Sequence, residues 1–576
     1  MKKQRGLHTI PTILFALAIC CFFGLVYPHH LHFQEQYQLF QFDAAYALGV
    51  VAVPGGVADY IGRFFTQFFI YAWVGAAILA LLLTSVQLLA ARGTKGTCLY
   101  ALSFVPAILL WRLMLDENAM PGAVVAVLLC LLFDRGLHVL SSIKLRCLLS
   151  VLGLPLLYWL AGPVALWLYV GIALSLIMKE RKSAVVIASV SAIVLLALAM
   201  PTIARRLVAI DPDRLVSGVH YFRYSTHTAW PLWCAVASIL LVQLLVSVKK
   251  HINFRFFPHL IVLATCCTTV VVAQGVNRSS EEIMAYDFMA RNQMWNRILQ
   301  TSAVKAPHNP TSATVNNLAM AMKGRFAEHM FDYPQRGTTG LLPKFVRDPF
   351  SPLATSEVFY HLGMINTAQQ FVFEAQEAIP DYQKSARCYK RLAETNLITG
   401  AYDVARKYLL ALRKTWFYRS WADETLALLG NEDAIARHPE YGKLRRQNIR
   451  ASFFFSDREL PQMLGQLLMS NRQNRLAFEY LEATYMLEGD LDSFARCYSL
   501  GNELGYPAIP LAFQQALLLF WSRDHSASEQ IPAGFRPDVV KSMHQFYADI
   551  QSKRYTKEQL EERWGKTYWY YYFYEK

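Results

Sequence analysis

Apolar runs long enough to cross a bilayer recur through the first 276 residues and then stop. No other feature constrains the fold so tightly. A span of the hydrocarbon core needs about 20 apolar residues, within a range of about 17–25. Six runs meet that need, near residues 8–28, 65–90, 98–114, 183–203, 229–248 and 257–276. Three shorter runs, near 120–133, 147–161 and 163–178, bring the expected number to about nine. The last two are joined by Ala161-Gly162-Pro163, a pair of helix breakers that turns the chain back on itself. The N-terminal run lacks a small-x-small cleavage site, so it reads as an uncleaved anchor.

Charge tests the topology. With the N-terminus inside, the inner segments carry Lys2, Lys3, Arg5, Arg92, Lys95, Arg135, Lys144, Arg146, Lys179, Arg181, Lys182, Lys249, Lys250 and Arg255. The outer loops carry Arg63, Arg112, Arg205, Arg206, Arg214 and Arg223. Fourteen against six is the bias of the positive-inside rule. An odd number of spans then leaves residues 277–576 outside, in the periplasm of a bacterial inner-membrane protein. Residues 1–276 hold 20 Lys/Arg against 9 Asp/Glu, and residues 277–576 hold 36 against 33. The excess positive charge therefore sits in short clusters between apolar runs. Nucleic-acid binding, which needs a basic patch on a folded domain, is excluded on that ground.

Beyond residue 276 the pattern changes to amphipathic helices with aromatic and small residues at helical spacing. Three stretches turn at a glycine, Gly324, Gly400 and Gly489, between two helical segments. A glycine there permits a left-handed helix cap. A fourth helical stretch carries Gly363 within its first helix, and the glycine separations of 39 and 37 residues approximate the tetratricopeptide (TPR) period of ~34. The expected fold class is all-α: a polytopic transmembrane bundle over 1–276, then a TPR-like helical-repeat domain over 277–576. Trp295, Phe373, Phe417 and Phe453 read as core, and the C-terminal "TYWYYYFYEK" as a cap over the last helices. Cys388 and Cys497 are either disulfide-bonded or buried free thiols.

Motifs for ATP, dinucleotides, zinc or a serine nucleophile do not occur, so neither a cofactor nor a metal is expected. The outer loop at about 29–64 contains "FQEQYQLFQFD". Read as an interfacial helix, Phe33, Tyr37 and Phe40 share one face. Glu35 and Asp43 then lie about 12 Å apart along the axis, too far for a shared proton. His29, His30 and His32, at the end of the first span, are read as solvated.

That stretch, with "PGGVADYIGRFFTQFF", "FYHLGMINTAQQFVFEA", "RLAETNLITGAYDVARKYL", "KTWFYRSWA" and "TYWYYYF", resembles an uncharacterised family of polytopic membrane proteins from Gram-negative gut and oral anaerobes. The resemblance covers nearly the whole chain; it implies the two-part architecture and supplies no mechanism. A fainter, architectural likeness is to membrane glycosyltransferases of the C-type fold, which also place a long outer loop after the first span. That likeness implies Glu35 or Asp43 as a general base and Arg63 on a lipid phosphate. The departure is the lack of a paired acidic motif in the loop. The leading expectation is therefore non-catalytic: the helical-repeat domain is presented to a protein or envelope-polymer partner in cell-envelope assembly. The alternative is transfer of a sugar from a lipid carrier at the outer leaflet.

Overall fold

The computed structural model describes residues 2–576 apart from 93, 95–96, 181–182, 225–227, 248–265, 268, 344–345, 347, 349, 380–382, 450–458, 526–530 and 532–533. Its regular elements are helical, and no β-strand occurs among the described residues. The chain divides into two compact units. The first holds residues 1–277 together with 379–387 and 411–420; the second holds 278–378, 388–410 and 421–576.

The first unit is built on long apolar helices. Five stretches are long and apolar enough to cross a membrane: Thr9–Val26, Ala72–Ala90, Gly122–Val139, Ile143–Ala161 and Ala184–Leu207. They are compatible with a membrane location. Five among the described residues, rather than about nine, is a correction with local causes. The run at 98–114 is interrupted at Ser103, between helices Thr97–Leu102 and Phe104–Leu113. The run at 163–178 is cut short by Gly162 and Pro163, and the helix in the run at 229–248 starts at Trp230. The "short" runs at 120–133 and 147–161, by contrast, extend into helices of 18 and 19 residues. Half of the run at 257–276 lies outside the described residues.

Between the first two spans, helices Pro28–Gln36, Ala44–Val51 and Gly56–Thr66 fold onto the bundle. Gly56–Thr66 crosses the start of Gly122–Val139 at very close range. A Cβ on Gly62 would stand 2.4 Å from the Gly122 nitrogen, so a glycine is required at the crossing. The loops at this end of the bundle are stitched together by backbone groups. Gly55 N–H donates to the Trp159 carbonyl (2.8 Å), Met120 N–H to Tyr221 O (2.9 Å), and Arg223 N–H to Asn118 O (2.9 Å). The Tyr221 hydroxyl donates to Ala161 O (2.6 Å) and accepts from Val164 N–H (3.2 Å).

The second unit is a stack of short helices around one aromatic core. Phe326, Phe331, Tyr360, Phe478, Tyr480, Phe513, Phe546 and Trp569 are all buried in it. Gly324, Gly400 and Gly489 have φ of +65°, +86° and +70°. Gly363 does not lie inside a helix. It ends Ser351–Leu362 at φ +96°, and Ile365–Glu377 packs back as the partner helix. After Gly324 the expected second helix is only the four-residue Phe326–His329. Trp295 is buried, Phe373 is exposed, Phe417 is half-buried, and Phe453 lies outside the described residues. The exposure of Phe373 shows that helical spacing alone does not separate a core position from one beside it. The C-terminal aromatics are core: Trp569 Nε1 donates to Gln515 O (3.1 Å), and the Tyr568 and Tyr571 hydroxyls donate to Met486 O (3.0 Å) and Leu487 O (3.2 Å). Cys388 and Cys497 are free thiols.

Candidate functional site: a charged cavity at one end of the bundle

The "FQEQYQLFQFD" stretch is not a single helix, and most of it is buried. Helix Pro28–Gln36 ends within it, and residues 38–43 run on without helical structure. Phe33, Gln34, Glu35, Gln36, Tyr37, Leu39 and Phe40 are all buried. The physical reason is that its glutamines find internal partners. Gln34 Nε2 donates to Ala119 O (3.1 Å), Gln38 Nε2 to Arg63 O (2.6 Å) and Gln41 Nε2 to Ala411 O (2.9 Å). A buried amide that is hydrogen-bonded in this way carries little desolvation cost.

The same stretch recruits two segments from far along the chain. Ala386 N–H donates to Gln38 O (3.2 Å) and Phe42 N–H to Lys414 O (2.8 Å). The Ser385 hydroxyl donates to Gln36 O (2.6 Å) and Arg387 Nη1 to Gln36 Oε1 (2.9 Å). Glu35 accepts from the Tyr418 hydroxyl at 2.7 Å, and Asp43 is ion-paired with Lys414 at 2.7 Å. The two carboxylates named from the sequence therefore hold residues 411–420 to the loop after the first apolar helix, while Gln36 and Gln38 hold residues 385–387.

Beside this seam lies a cavity of about 560 Å³, within the ~300–1,000 Å³ range of ligand sites. Its lining mixes apolar side chains, Leu39, Val50, Val53, Met120 and Ile210, with the polar and charged Asp43, Asp59, Arg63, Arg214, His220 and Lys384. Asp43 reaches the cavity and Glu35 does not. Arg63 lies i+4 from Asp59 on Gly56–Thr66, with Nη2 at 2.7 Å from Oδ2. Asp59 Oδ1 has no hydrogen-bond partner among the described residues. Arg214 Nη2 donates to Phe222 O at 2.9 Å.

Electrostatics follow from burial and proximity. Burial works against the Arg63 charge, but the Asp59 carboxylate and Tyr46 more than offset it, so Arg63 is held firmly cationic. Burial pulls Arg214 below the usual arginine range, with Asp59 and Asp211 opposing. His220 is pushed down to about 4 by burial, against Asp59, with the Arg214 and Arg63 charges adding to the shift. At neutral pH its ring is uncharged. Lys414 holds the Asp43 carboxyl below its ordinary range. Three cations line the cavity against two carboxylates, one of which is already paired outside it. An anion with an apolar tail fits this distribution. Asp59 Oδ1 and neutral His220 are placed to accept a proton or a hydroxyl hydrogen bond.

Of the residues singled out from sequence, Asp43 and Arg63 meet at this cavity. Gly324, Gly400 and Gly489 lie in the second unit. Asp59, Arg214, His220 and Lys384 were missed. Asp59 had a local signal in its i,i+4 spacing to Arg63; Arg214 and His220 lie in single-turn helices and Lys384 in a loop, with no motif. His30 is buried, with Nε2 2.8 Å from Met114 O, and does not sit in solvent as expected. The His29 and His32 Nδ1 atoms are 3.4 Å apart. Among the described residues no three His, Cys, Asp or Glu side chains converge as a metal site.

No curated protein and no solved structure matches the chain. One family profile does, over residues 3–575. The chain belongs to the family of unknown function DUF6057.

Proposed function

We propose that the chain is an integral inner-membrane protein that binds the anionic headgroup of a lipid-borne substrate at the outer end of its bundle. The observation that carries this reading is the cavity whose lining combines Arg63, Arg214 and Lys384 with apolar side chains. Guanidinium groups match phosphate oxygens in geometry and charge. The apolar side chains suit the first carbons of a lipid chain, and Asp59 takes the general-base role first given to Glu35 or Asp43. The substrate class is a lipid-linked phosphate, as in sugar transfer from a lipid carrier.

The seam supports the topology. The loop after the first span is hydrogen-bonded to residues 385–387 and 411–418. On this reading both lie on one side of the bilayer, opposite the N-terminus. An odd number of crossings satisfies this, and the positive-inside bias makes that side periplasmic. A second reading is supported by the glycine-capped helical turns of the second unit: a TPR-like domain offered to a protein or envelope-polymer partner.

The test is thermal stabilisation of the purified protein by dodecyl phosphate against uncharged dodecyl maltoside. Binding to the native state raises Tm by mass action. The reading expects a rise with the phosphate alone, lost in Arg63→Gln and Arg214→Gln variants that are themselves folded. An equal rise in those variants, or none in the wild type, would remove it and leave the partner-presentation reading.

A further inference from the structure

The segment that returns to the first unit carries an unusual surface. Residues 413–419 read Arg-Lys-Thr-Trp-Phe-Tyr-Arg. Thr415 is buried, and Tyr418 is fixed on Glu35. Trp416 faces out, 59% exposed. Phe42 (51% exposed) and Tyr71 (58%) face outward too, and with Phe68, Trp416 and Phe417 they form a connected patch. Trp73, two residues beyond Tyr71, is also exposed (52%). Trp416 meets Phe42 edge-on at 5.7 Å and Phe68 at 5.8 Å, and Phe417 meets Phe68 at 5.7 Å and Tyr71 at 5.8 Å.

The place of this patch identifies its partner. Tyr71 and Trp73 stand at the first turn of Ala72–Ala90, whose outward face continues through Val74, Leu81 and Leu88, all exposed. That helix is one of the five long enough to cross a bilayer. Trp230 and Trp233, at the start of the apolar helix Trp230–Ser247, are also exposed. Aromatic rings at the ends of spans occupy the headgroup layer, where an apolar body and a polar edge are both accommodated. Arg413 and Arg419 are exposed on the same segment, with Lys414 paired to Asp43, and cations beside such rings suit a phosphate-bearing surface.

We infer that residues 413–419 form an interfacial membrane anchor, with Trp416 seated in the headgroup layer beside the start of Ala72–Ala90. The inference goes beyond the cavity reading and does not depend on it. It makes the lipid surface a direct partner of a segment far downstream of the last apolar run.

The test uses the full-length protein in nanodiscs whose lipids are brominated either near the headgroup or near the chain ends. The contribution of Trp416 is the difference between wild type and Trp416→Phe, a variant that keeps an aromatic ring. A matching melting temperature shows that the variant is folded, and Trp73→Phe gives a second reporter of the same layer if it is not. The expected result is strong quenching of that difference by the shallow bromines, weaker quenching by the deep ones, and little by iodide in the buffer. Quenching by iodide and not by lipid would place Trp416 in water. Shielding from all three would mean that protein covers it. Either outcome overturns the inference.

Discussion

Alanine in place of glycine at two positions of the second unit should shift stability in opposite directions. Gly400 separates helices Ala386–Thr399 and Tyr402–Arg413 and has φ +86°. A Cβ built there meets nothing within 4 Å. The cost of Gly400→Ala is therefore backbone strain alone, about 1–2 kcal/mol for an L-residue in the left-handed region. Gly465 lies inside helix Leu460–Ser470, and a Cβ there also meets nothing within 4 Å. There the same change removes backbone entropy from the unfolded chain and should stabilise by about 0.5–1 kcal/mol. The unit contains roughly 280 residues, so at ~2.1 cal/mol/K per residue its unfolding entropy is about 0.6 kcal/mol/K. Gly400→Ala should then lower the melting temperature by about 2–3 °C, and Gly465→Ala should raise it by about 1–1.5 °C. Gly400→Asn should fall between wild type and alanine, because asparagine tolerates this region better. The assay is tryptophan-fluorescence melting of full-length protein in detergent. Equal shifts of the same sign at the two positions would refute the assignment of a left-handed turn at Gly400.

Tyr418→Phe removes the hydroxyl that donates to buried Glu35 and should destabilise the protein by about 1–3 kcal/mol; denaturant melts would show this. Glu482 is buried, neither of its carboxyl oxygens has a hydrogen-bond partner among the described residues, and burial raises its pKa well above the usual range. The unfolded carboxyl ionises near 4.5 while the native one keeps its proton, so this group lowers stability as pH rises above that value. Glu482→Leu should raise Tm at pH 8, by about 1–3 kcal/mol of stability, and flatten that slope. His220 behaves in the opposite sense. Its native pKa of about 4 lies below the unfolded 6.5, so its contribution is complete above pH 6.5 and is lost as pH falls towards 4. His220→Gln should flatten that acid limb in a Tm–pH series. The slope that remains belongs partly to His30 and His361, which burial lowers to about 3 and about 4.

What the sequence reveals here is what is local. Hydropathy finds the apolar helices because a span is a property of consecutive residues. It misjudges their ends where a single residue, such as Ser103 or Gly162, decides where a helix stops. A glycine between two amphipathic stretches marks a turn because the left-handed region favours it, and Gly400 and Gly489 have that geometry. The environment of Glu35 could not be read in this way. Its partner Tyr418 is 383 positions away, and the pattern around Glu35 fits an interfacial helix as well as a buried seam. The cavity is hidden for the same reason. Arg214 and His220 lie in single-turn helices after the fifth long apolar helix, and only the stitching of loops at one end of the bundle brings them to Asp59 and Arg63.

The division of the first unit between residues 1–277, 379–387 and 411–420 has a consequence for biosynthesis. Helices can form as they leave the ribosome, but the side-chain amides of Gln36 and Gln41 and the carboxylate of Glu35 must wait for partners made much later. Roughly 140 residues separate the end of the first segment from the last of those partners. At about 5–20 residues per second, that is a delay of about 7–30 s. Through that interval the nascent first unit carries an open polar seam at one end of its helices. Truncation anywhere before residue 420 would leave it open permanently. A chain that loses its distal half should therefore be degraded, and should not persist as a stable bundle without the later segments.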